Sequence, residues 1–285
     1  MKISLILATV GRTAEVGRCL RSLATQTDPD FEVLLVDQNP DERLAPFIQE
    51  AVAMGITLTH LRMPSPSLSG ARNLGIARAS GEIIGLTDDD CWYEPEAVQN
   101  IRAAFLDNPT LDGAVAQWVE QSAARPGGPA SGLLSLQAWR CFRGGDASSI
   151  TLFFKRSLFV RLGGFDERFG VGQWFGAAEE TDFLLRALGS SARLAHCPQA
   201  KVHHHFGAAH TGPVLALAQS ARKRARGTGG IYAKHHLSAW TVMRGFSAPL
   251  LLPLLRGKLR AAAIGAFVSL GRLEGFLRWN LKGLT

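Results

Sequence analysis

An apolar run that ends in three adjacent carboxylates is the feature that most constrains this chain. Residues 82–87 read Glu-Ile-Ile-Gly-Leu-Thr, and Asp88, Asp89 and Asp90 follow directly. Short apolar runs are typical of buried strands, and open α/β sheets bind ligands beyond the carboxyl ends of their strands. Three acids at such an edge repel one another, which favours a divalent cation among them. The alternative is a solvated turn in which Asp90 caps a following helix, because Asp is a favoured N-cap residue.

Strand-like and helical patterns alternate before this run. The apolar runs are Ile3–Thr9, Phe31–Val36, Ile56–Leu61 and Glu82–Leu86, and the helical patterns are Ala14–Thr25, 41–54 and Ser69–Ala79. Such alternation predicts a parallel sheet built from βαβ units. Asp37 and Asp88 then both lie at the carboxyl edge of that sheet, where ligands bind.

Shorter elements are predicted after the acidic triplet. They are a helix over Glu94–Leu106, strands over Gly113–Val119 and Ile150–Phe154, a helix over Ser157–Leu162, and two strand-like pieces over Arg193–Cys197 and Lys201–His205. A further helix begins with Glu179, Glu180 and Asp182. Acids in a first turn favour the helix dipole, so N-terminal capping is the ordinary explanation for these three residues.

The end of the chain has a strongly basic composition. The net charge is +7, and residues 201–285 contain thirteen Lys and Arg but a single acid, Glu274. A helix over Val214–Arg226 is expected to break at Gly227–Gly230, and the later apolar runs are too short to span a bilayer. Basic and apolar residues together suit either a helix on an anionic membrane or a helical appendage packed on the main domain. No nucleic-acid partner is expected, since no recognisable nucleic-acid motif is present.

Cysteine usage and the N-terminus bear on location. The cysteines lie far apart without paired spacing, which predicts neither a disulfide framework nor a zinc site and favours a reducing compartment. The N-terminus enters a strand-like run without a basic flank, so no signal peptide is expected. These patterns predict a cytoplasmic protein, with peripheral contact to the inner face of the cell membrane as a further expectation.

Five motifs follow one another in a recognisable order. They are Ala8–Arg12, Leu34–Asn39, Ser69–Ile76, Thr87–Asp90, and Gly164–Gly170 followed by Glu179–Asp182. In this order the chain resembles the inverting nucleotide-sugar glycosyltransferases of family 2, which have the GT-A fold. The resemblance implies an α/β domain over residues 1–210, with a mostly parallel central sheet flanked by helices, and a basic, amphipathic helical extension over residues 211–285.

The resemblance also implies a donor site. Asp90 would hold Mg²⁺ or Mn²⁺ together with His204, with His203 and His205 as the alternatives. Arg222 or Arg226 would reach the diphosphate. The contacts implied for the nucleotide sugar are Thr9, Arg12, Asp37, Arg72, Asp88 and Asp89. The chain departs from the family pattern after Asp37, where Gln-Asn replaces the commoner Asp-Gly-Ser.

A carboxylate is needed to remove the proton from the acceptor hydroxyl. The resemblance implies Glu180 as this base, with Glu179 as the alternative, although the family often has Glu-Asp at this pair. Trp174 and Trp92 are candidates for stacking on sugars. The acceptor is expected to be a saccharide or lipid-linked saccharide of cell-envelope or extracellular polysaccharide assembly.

Two other functions are compatible with these patterns. A nucleotidyltransferase also uses a nucleotide-binding sheet and carboxylate-bound metal, but the turn Thr9-Val10-Gly11-Arg12 lacks a glycine-rich, lysine-containing phosphate loop. The other is a catalytically inactive module that binds nucleotide sugars. The intact acidic triplet and Glu pair argue against it.

Overall fold

The computed structural model describes residues 1–123, 132–144, 147–204 and 212–282. The strands within these ranges are β1 (Ile3–Thr9), β2 (Phe31–Asp37), β3 (Leu58–Arg62), β4 (Ile83–Asp88), β5 (Cys91–Tyr93), β6 (Gly113–Trp118), β7 (Leu152–Lys155) and β8 (Leu194–His204). The α-helices are α1 (Ala14–Ala24), α2 (Ala45–Ala53), α3 (Leu68–Arg78), α4 (Ala97–Asp107), α5 (Val119–Ala123), α6 (Leu136–Arg140), α7 (Arg156–Leu162), α8 (Glu179–Gly189), α9 (Val214–Lys234), α10 (Ala239–Leu255) and α11 (Leu259–Lys282).

The strands form one sheet in the order β3-β2-β1-β4-β7-β6-β8-β5. The first four are parallel, as expected from the alternation of strands and helices. Thr9 lies opposite Asp37 on β2, and Ala8 lies opposite Asp88 on β4. The two acidic strand ends therefore meet at one edge, and each Asp is the last residue of its strand. An α/β sheet with flanking helices is confirmed.

The second half of the sheet mixes directions. Strand β7 is antiparallel to β4 and to β6, whereas β8 is parallel to β6. The two strand-like pieces around Pro198 form one strand, β8, whose pairing with β6 shifts register between Ala116 and Gln117. This irregularity accommodates a proline, which cannot donate to the ladder.

The alternative in which Asp90 caps a helix is wrong. The residues that follow it form β5, which is antiparallel to β8 and pairs Cys91 with His204. The helix comes later, at Ala97. Because β5 returns the chain along β8, the histidine run is brought beside the acidic triplet.

Apolar clusters cover both faces of the sheet. All seven residues of β1 are buried, with Leu5 in one cluster and Ile6 in the other. Side chains of a strand alternate between faces, so a strand that is buried along its whole length is covered on both sides. The four cysteines are free thiols.

The C-terminal helices differ from the expectation in one respect. The predicted break at Gly227–Gly230 is wrong, because α9 continues through these residues to Lys234. A Cβ at Gly227 would collide with the carbonyl oxygen of Ala177, and one at Gly230 would lie 2.9 Å from the Phe175 ring. The glycines therefore permit close packing rather than ending the helix. None of the helices in the described part of the chain combines the length and the apolar character that a membrane-spanning segment needs.

Candidate active site

A cavity of about 550 Å³ opens at the carboxyl edge of β1 and β4. It receives side chains from strand ends, from the loop after β1, from the start of α3 and from α9. The lining residues used below are Thr9, Arg12, Gln38, Asp88, Asp89, Asp90, His204 and Arg224. Six of the residues expected to bind the donor or the metal therefore line this cavity. A seventh, Arg72, contacts it through a direct hydrogen bond to Asp88.

Asp89 ties the loop after β1 to the acidic triplet. Its carboxylate accepts a hydrogen bond of 2.6 Å from the Thr9 hydroxyl and a second from the Arg12 guanidinium. The same guanidinium lies 2.6 Å from Asp90 Oδ2. Burial raises the pKa of Asp89 despite these bonds. Arg12 therefore supplies positive charge to two neighbouring carboxylates.

Asp90 and His204 form the pair best suited to a cation. Asp90 Oδ1 lies 3.1 Å from His204 Nε2. Burial opposes ionisation of Asp90, but the hydrogen bond from His204 and the charges of His204 and Arg12 hold the pKa of Asp90 below its usual value. The hydrogen bond to Asp90 in turn raises the pKa of His204. Glu120 accepts a hydrogen bond of 3.2 Å from the His204 backbone and fixes the strand at this point.

These donors fit Mg²⁺ or Mn²⁺ as a shared site. The described part of the chain holds no cluster of three or more His, Cys, Asp or Glu side chains that could bind a metal by itself. Mg²⁺ sites commonly use one or two carboxylates and complete their shell with water and substrate phosphates. Asp90 would supply one carboxylate and His204 an imidazole nitrogen, which would leave the remaining positions to water and a diphosphate.

The other histidines of the run have different surroundings. His203 Nδ1 lies 2.9 Å from Glu120 Oε1, and its ring stacks on Trp92 at a centroid distance of 5.1 Å. His205 lies outside the described residues. His204 is therefore the histidine of this run that is seen in the cavity.

Arg72 connects the acidic triplet to α8. This arginine is buried, and it donates to Asp88 Oδ1 at 2.9 Å and to Glu179 Oε1 at 2.8 Å. Ser149 donates to the other Asp88 oxygen at 3.0 Å. Two buried or half-buried carboxylates are thus neutralised by one guanidinium, which brings the start of α8 beside the cavity.

The Glu pair at the start of α8 is divided between two environments. Glu179 is buried and bound to Arg72, whereas Glu180 is half-buried and receives no hydrogen bond from another side chain among the described residues. Burial and the negative charge of Glu179 raise the pKa of Glu180 to about 8. The residue before the pair, Ala178, has a left-handed backbone with φ of 79°. Such a conformation costs a non-glycine residue on the order of 1–3 kcal/mol and is common at functional sites.

Asp37 is buried and already paired. Its carboxylate lies 2.8 Å from Arg62 Nη1 and 3.1 Å from His60 Nε2, and it accepts a 2.8 Å hydrogen bond from the Asn39 backbone. The next residue, Gln38, lines the cavity instead. The predicted contact of Asp37 with the donor therefore stays a prediction, and Gln38 is a neighbour that reasoning from the sequence did not single out.

The family model described as glycosyl transferase family 2 matches residues 4–150, about half of the chain. The chain belongs to glycosyltransferase family 2. Among curated relatives, an uncharacterized glycosyltransferase of Haemophilus influenzae is 27% identical over 110 residues, and the match covers 39% of this chain and 36% of that protein. The putative glycosyltransferase EpsH of Bacillus subtilis is 29% identical over 109 residues, and the match covers 38% of this chain and 32% of that protein. The match thus spans about a third of the length of these two relatives.

A longer match is found with a PGL/p-HBAD biosynthesis glycosyltransferase of Mycobacterium bovis. It is 27% identical over 214 residues, covering 73% of this chain and 79% of that protein. One similar solved structure is the mannosyltransferase PcManGT from Pyrobaculum calidifontis in complex with GDP-Man and Mn²⁺. Its TM-score is 0.64 at 17% sequence identity, and the match covers 99% of this chain and 87% of that one. Another is TarS 1–349 of S. aureus in complex with UDP-GlcNAc, with a TM-score of 0.59 at 17% sequence identity. That match covers 100% of this chain and 92% of the TarS chain. These likenesses confirm the fold expected for a family-2 chain.

The basic run Arg222–Arg226 lies in the middle of α9. Arg222 and Arg226 both bind Glu274 on α11, while Arg224 between them lines the cavity. The basic run was visible in the sequence, but the sequence did not show which of its side chains faces the cavity. Trp174 lies between the guanidinium groups of Arg226 and Arg278, at 4.7 and 4.1 Å from its ring centre.

Proposed function

We propose that this chain transfers a glycosyl group from a nucleotide-diphosphate sugar to an acceptor hydroxyl, with inversion at the anomeric carbon. The observation that carries the proposal is the contact of Arg72 with both Asp88 and Glu179. This contact joins an acidic, cation-suited cavity to a half-buried Glu with a raised pKa. Sugar transfer needs two such environments side by side. The cavity would stabilise the departing diphosphate, and the Glu would remove the proton from the acceptor alcohol.

The donor would lie in the cavity beside Asp88–Asp90. A volume of about 550 Å³ falls within the range of small-molecule sites. Arg12 and Arg224 bring guanidinium groups, which bind phosphate oxygens well, and Asp89 holds Arg12 in place. The ligands of the solved neighbours, UDP-GlcNAc and GDP-Man with Mn²⁺, support a nucleotide sugar as the class of donor.

A divalent cation at Asp90 and His204 would neutralise the charge that develops on the departing diphosphate. The remaining work falls to the side chains. Glu180, once ionised, accepts the proton of the acceptor hydroxyl. Arg72 keeps Glu179 paired, so that Glu180 is the carboxylate left to act as base. Attack on the face opposite the diphosphate inverts the anomeric centre, by the logic that applies to inverting glycosidases.

The acceptor is proposed to be a saccharide or a lipid-linked saccharide of cell-envelope assembly. The basic composition of residues 201–285, with thirteen Lys and Arg against one acid, supports an acceptor that is held at an anionic lipid surface. The site would face the cytoplasm, where nucleotide sugars would be supplied.

The test is a thermal-shift panel of UDP- and GDP-sugars with and without Mn²⁺, followed by a transfer assay with the donor that raises the Tm most. We expect release of nucleoside diphosphate and, by NMR, a product of opposite anomeric configuration. A product of the same configuration would contradict inversion. Pyrophosphate release from a nucleoside triphosphate and a sugar phosphate would favour the nucleotidyltransferase. Donor binding with neither transfer nor hydrolysis would favour the inactive module.

A further inference from the structure

The turn between α10 and α11 presents large apolar side chains to solvent. Every residue from Leu254 to Ala261 is exposed, and we call residues 254–261 the hairpin tip. Leu255 is 83% exposed and Leu259 is 71% exposed. Two further leucines of α10, Leu251 and Leu252, are about half exposed beside it. Contiguous exposed apolar surface of this kind marks an interaction site in soluble domains.

The hairpin tip is also positively charged. It contains Arg256, Lys258 and Arg260 and has no acid, and among the described residues none of the three forms an ion pair with a carboxylate. Glu274 is the single acid of residues 201–285, and it is bound by Arg222 and Arg226. The positive charge of the tip is therefore not neutralised within its own segment.

The turn itself has a defined geometry. Gly257 has a left-handed backbone with φ of 68°, its N–H donates to the Leu254 carbonyl at 3.0 Å, and the Lys258 N–H donates to the Pro253 carbonyl at 2.9 Å. This pair of hydrogen bonds is the Schellman motif of a helix C-terminus. Further along, Gly265 on α11 lies directly against the Pro249 carbonyl on α10. The leucines of the tip are thus held outward by a fixed turn.

We propose that the hairpin tip docks onto the surface of an anionic lipid bilayer. Leu255 and Leu259 would enter the boundary between headgroups and acyl chains, while Arg256 and Lys258 would meet the lipid phosphates. Charge favours this partner over a second copy of the chain, because two positive tips facing each other across a symmetric interface would repel. The inference rests on the surface alone and is independent of the transfer chemistry.

The experiment is co-sedimentation of the full chain with vesicles of phosphatidylglycerol and phosphatidylcholine, compared with vesicles of phosphatidylcholine alone. We expect binding to the anionic vesicles at low ionic strength, weakening as salt is added. The double variant Leu255→Asp/Leu259→Asp should lower the partition coefficient roughly tenfold or more, because it removes the inserted apolar groups. Arg256→Glu/Lys258→Glu should weaken binding to the anionic vesicles selectively.

Matched controls lie on the α/β domain. Val160 on α7 is 83% exposed and Leu106 on α4 is 56% exposed, so Val160→Asp/Leu106→Asp adds the same charge at similar exposure and should leave binding unchanged. The Tm of each variant shows whether it is folded. Absence of wild-type binding at low ionic strength would overturn the proposal, as would equal binding by the tip and control variants. Self-association in solution that the tip variant abolishes, without vesicle binding, would make a second copy the partner instead.

Discussion

Arg72 and Glu179 are 107 positions apart in the sequence, and their side chains form a buried ion pair with 2.8 Å between Nη1 and Oε1. The side chains are 1% and 6% exposed, respectively. Since the same guanidinium binds Asp88, one residue of α3 holds the acidic end of β4 and the first turn of α8 together. The distance between the proposed metal ligands and the proposed base is therefore set by a charge rather than by chain connectivity.

Replacing Arg72 with Met should destabilise the fold strongly. It would leave Glu179 buried without its cation, and breaking a buried pair from one side typically costs about 3–5 kcal/mol. Urea unfolding followed by circular dichroism measures the change in free energy. The matched control is Arg43→Met, which breaks the exposed pair with Asp41 and should leave the unfolding free energy almost unchanged. Equal effects of the two variants would contradict the bridging role of Arg72.

Glu180→Gln should lower kcat by roughly 10²–10⁴ if this residue is the base. Gln keeps the size of the side chain but cannot accept the proton, so the affinity for the donor should remain close to the wild-type value. Donor titration by calorimetry and steady-state transfer assays separate the two quantities. Glu179→Gln is the informative partner, because it weakens the bond to Arg72 and should reduce stability as well. Near-normal turnover by Glu180→Gln would remove Glu180 from the mechanism.

The raised pKa of Glu180 predicts two opposite pH effects. Its ordinary value is 4.5 and its folded value is about 8, so between these pH values the folded protein holds a proton that the unfolded chain has released. The contribution of this residue to stability is therefore complete below 4.5 and is lost as the pH rises through about 8. Turnover should rise over the same range as the base ionises.

The check is a pair of profiles, of the transfer rate and of the Tm against pH. The Glu180→Gln variant should lose the rising limb of the rate profile, and its Tm relative to wild type should increase from about pH 6 to about pH 9. A wild-type rate that is flat across this interval would contradict the assignment.

Asp90→Asn should weaken Mn²⁺-dependent donor binding by roughly 10²-fold or more, because even groups outside the first ligand shell can cost that much. His204→Ala is expected to act in the same direction. Calorimetric titration of the donor, with Mn²⁺ and with chelator, measures the effect. Asp107→Asn, which changes an exposed carboxylate at the end of α4 outside the lining of the cavity, is the control. Wild-type affinity that is the same with and without chelator would rule out the shared metal site.

Gly227→Ala tests whether α9 positions the loop before the Glu pair. The added methyl group would collide with the Ala177 carbonyl next to the strained Ala178, so we expect a loss of about 1–3 kcal/mol and a lower kcat. Gly189 at the end of α8 has open space around its Cα. Gly189→Ala should be neutral or stabilising by up to about 1 kcal/mol. Thermal unfolding and kcat are measured for both variants. Wild-type Tm and kcat in Gly227→Ala would show that α9 can shift to accept the methyl group and would contradict this role.

Local patterns predicted the first half of the sheet well. The runs beginning at Ile3, Phe31 and Glu82 became parallel strands because each is rich in apolar residues, each is buried on both faces, and helical patterns lie between them. The prediction of a helix break at Gly227–Gly230 was wrong because it considered these glycines without their packing partners. Glycine weakens an isolated helix, but here the close approach of Ala177 and Phe175 requires it, and that contact is invisible in the sequence.

The α/β class, the acidic triplet at a strand end and the Glu pair at a helix start could be predicted from the sequence, because they follow from periodicity and residue type within short windows. Three relationships became visible in the folded chain alone: Arg72 bridges the triplet and the pair, His204 faces Asp90, and Arg224 lines the cavity in place of its neighbours. These relationships join positions far apart in the chain. They depend on strand register and helix packing, which are set by the burial of the whole core and not by any local stretch of residues.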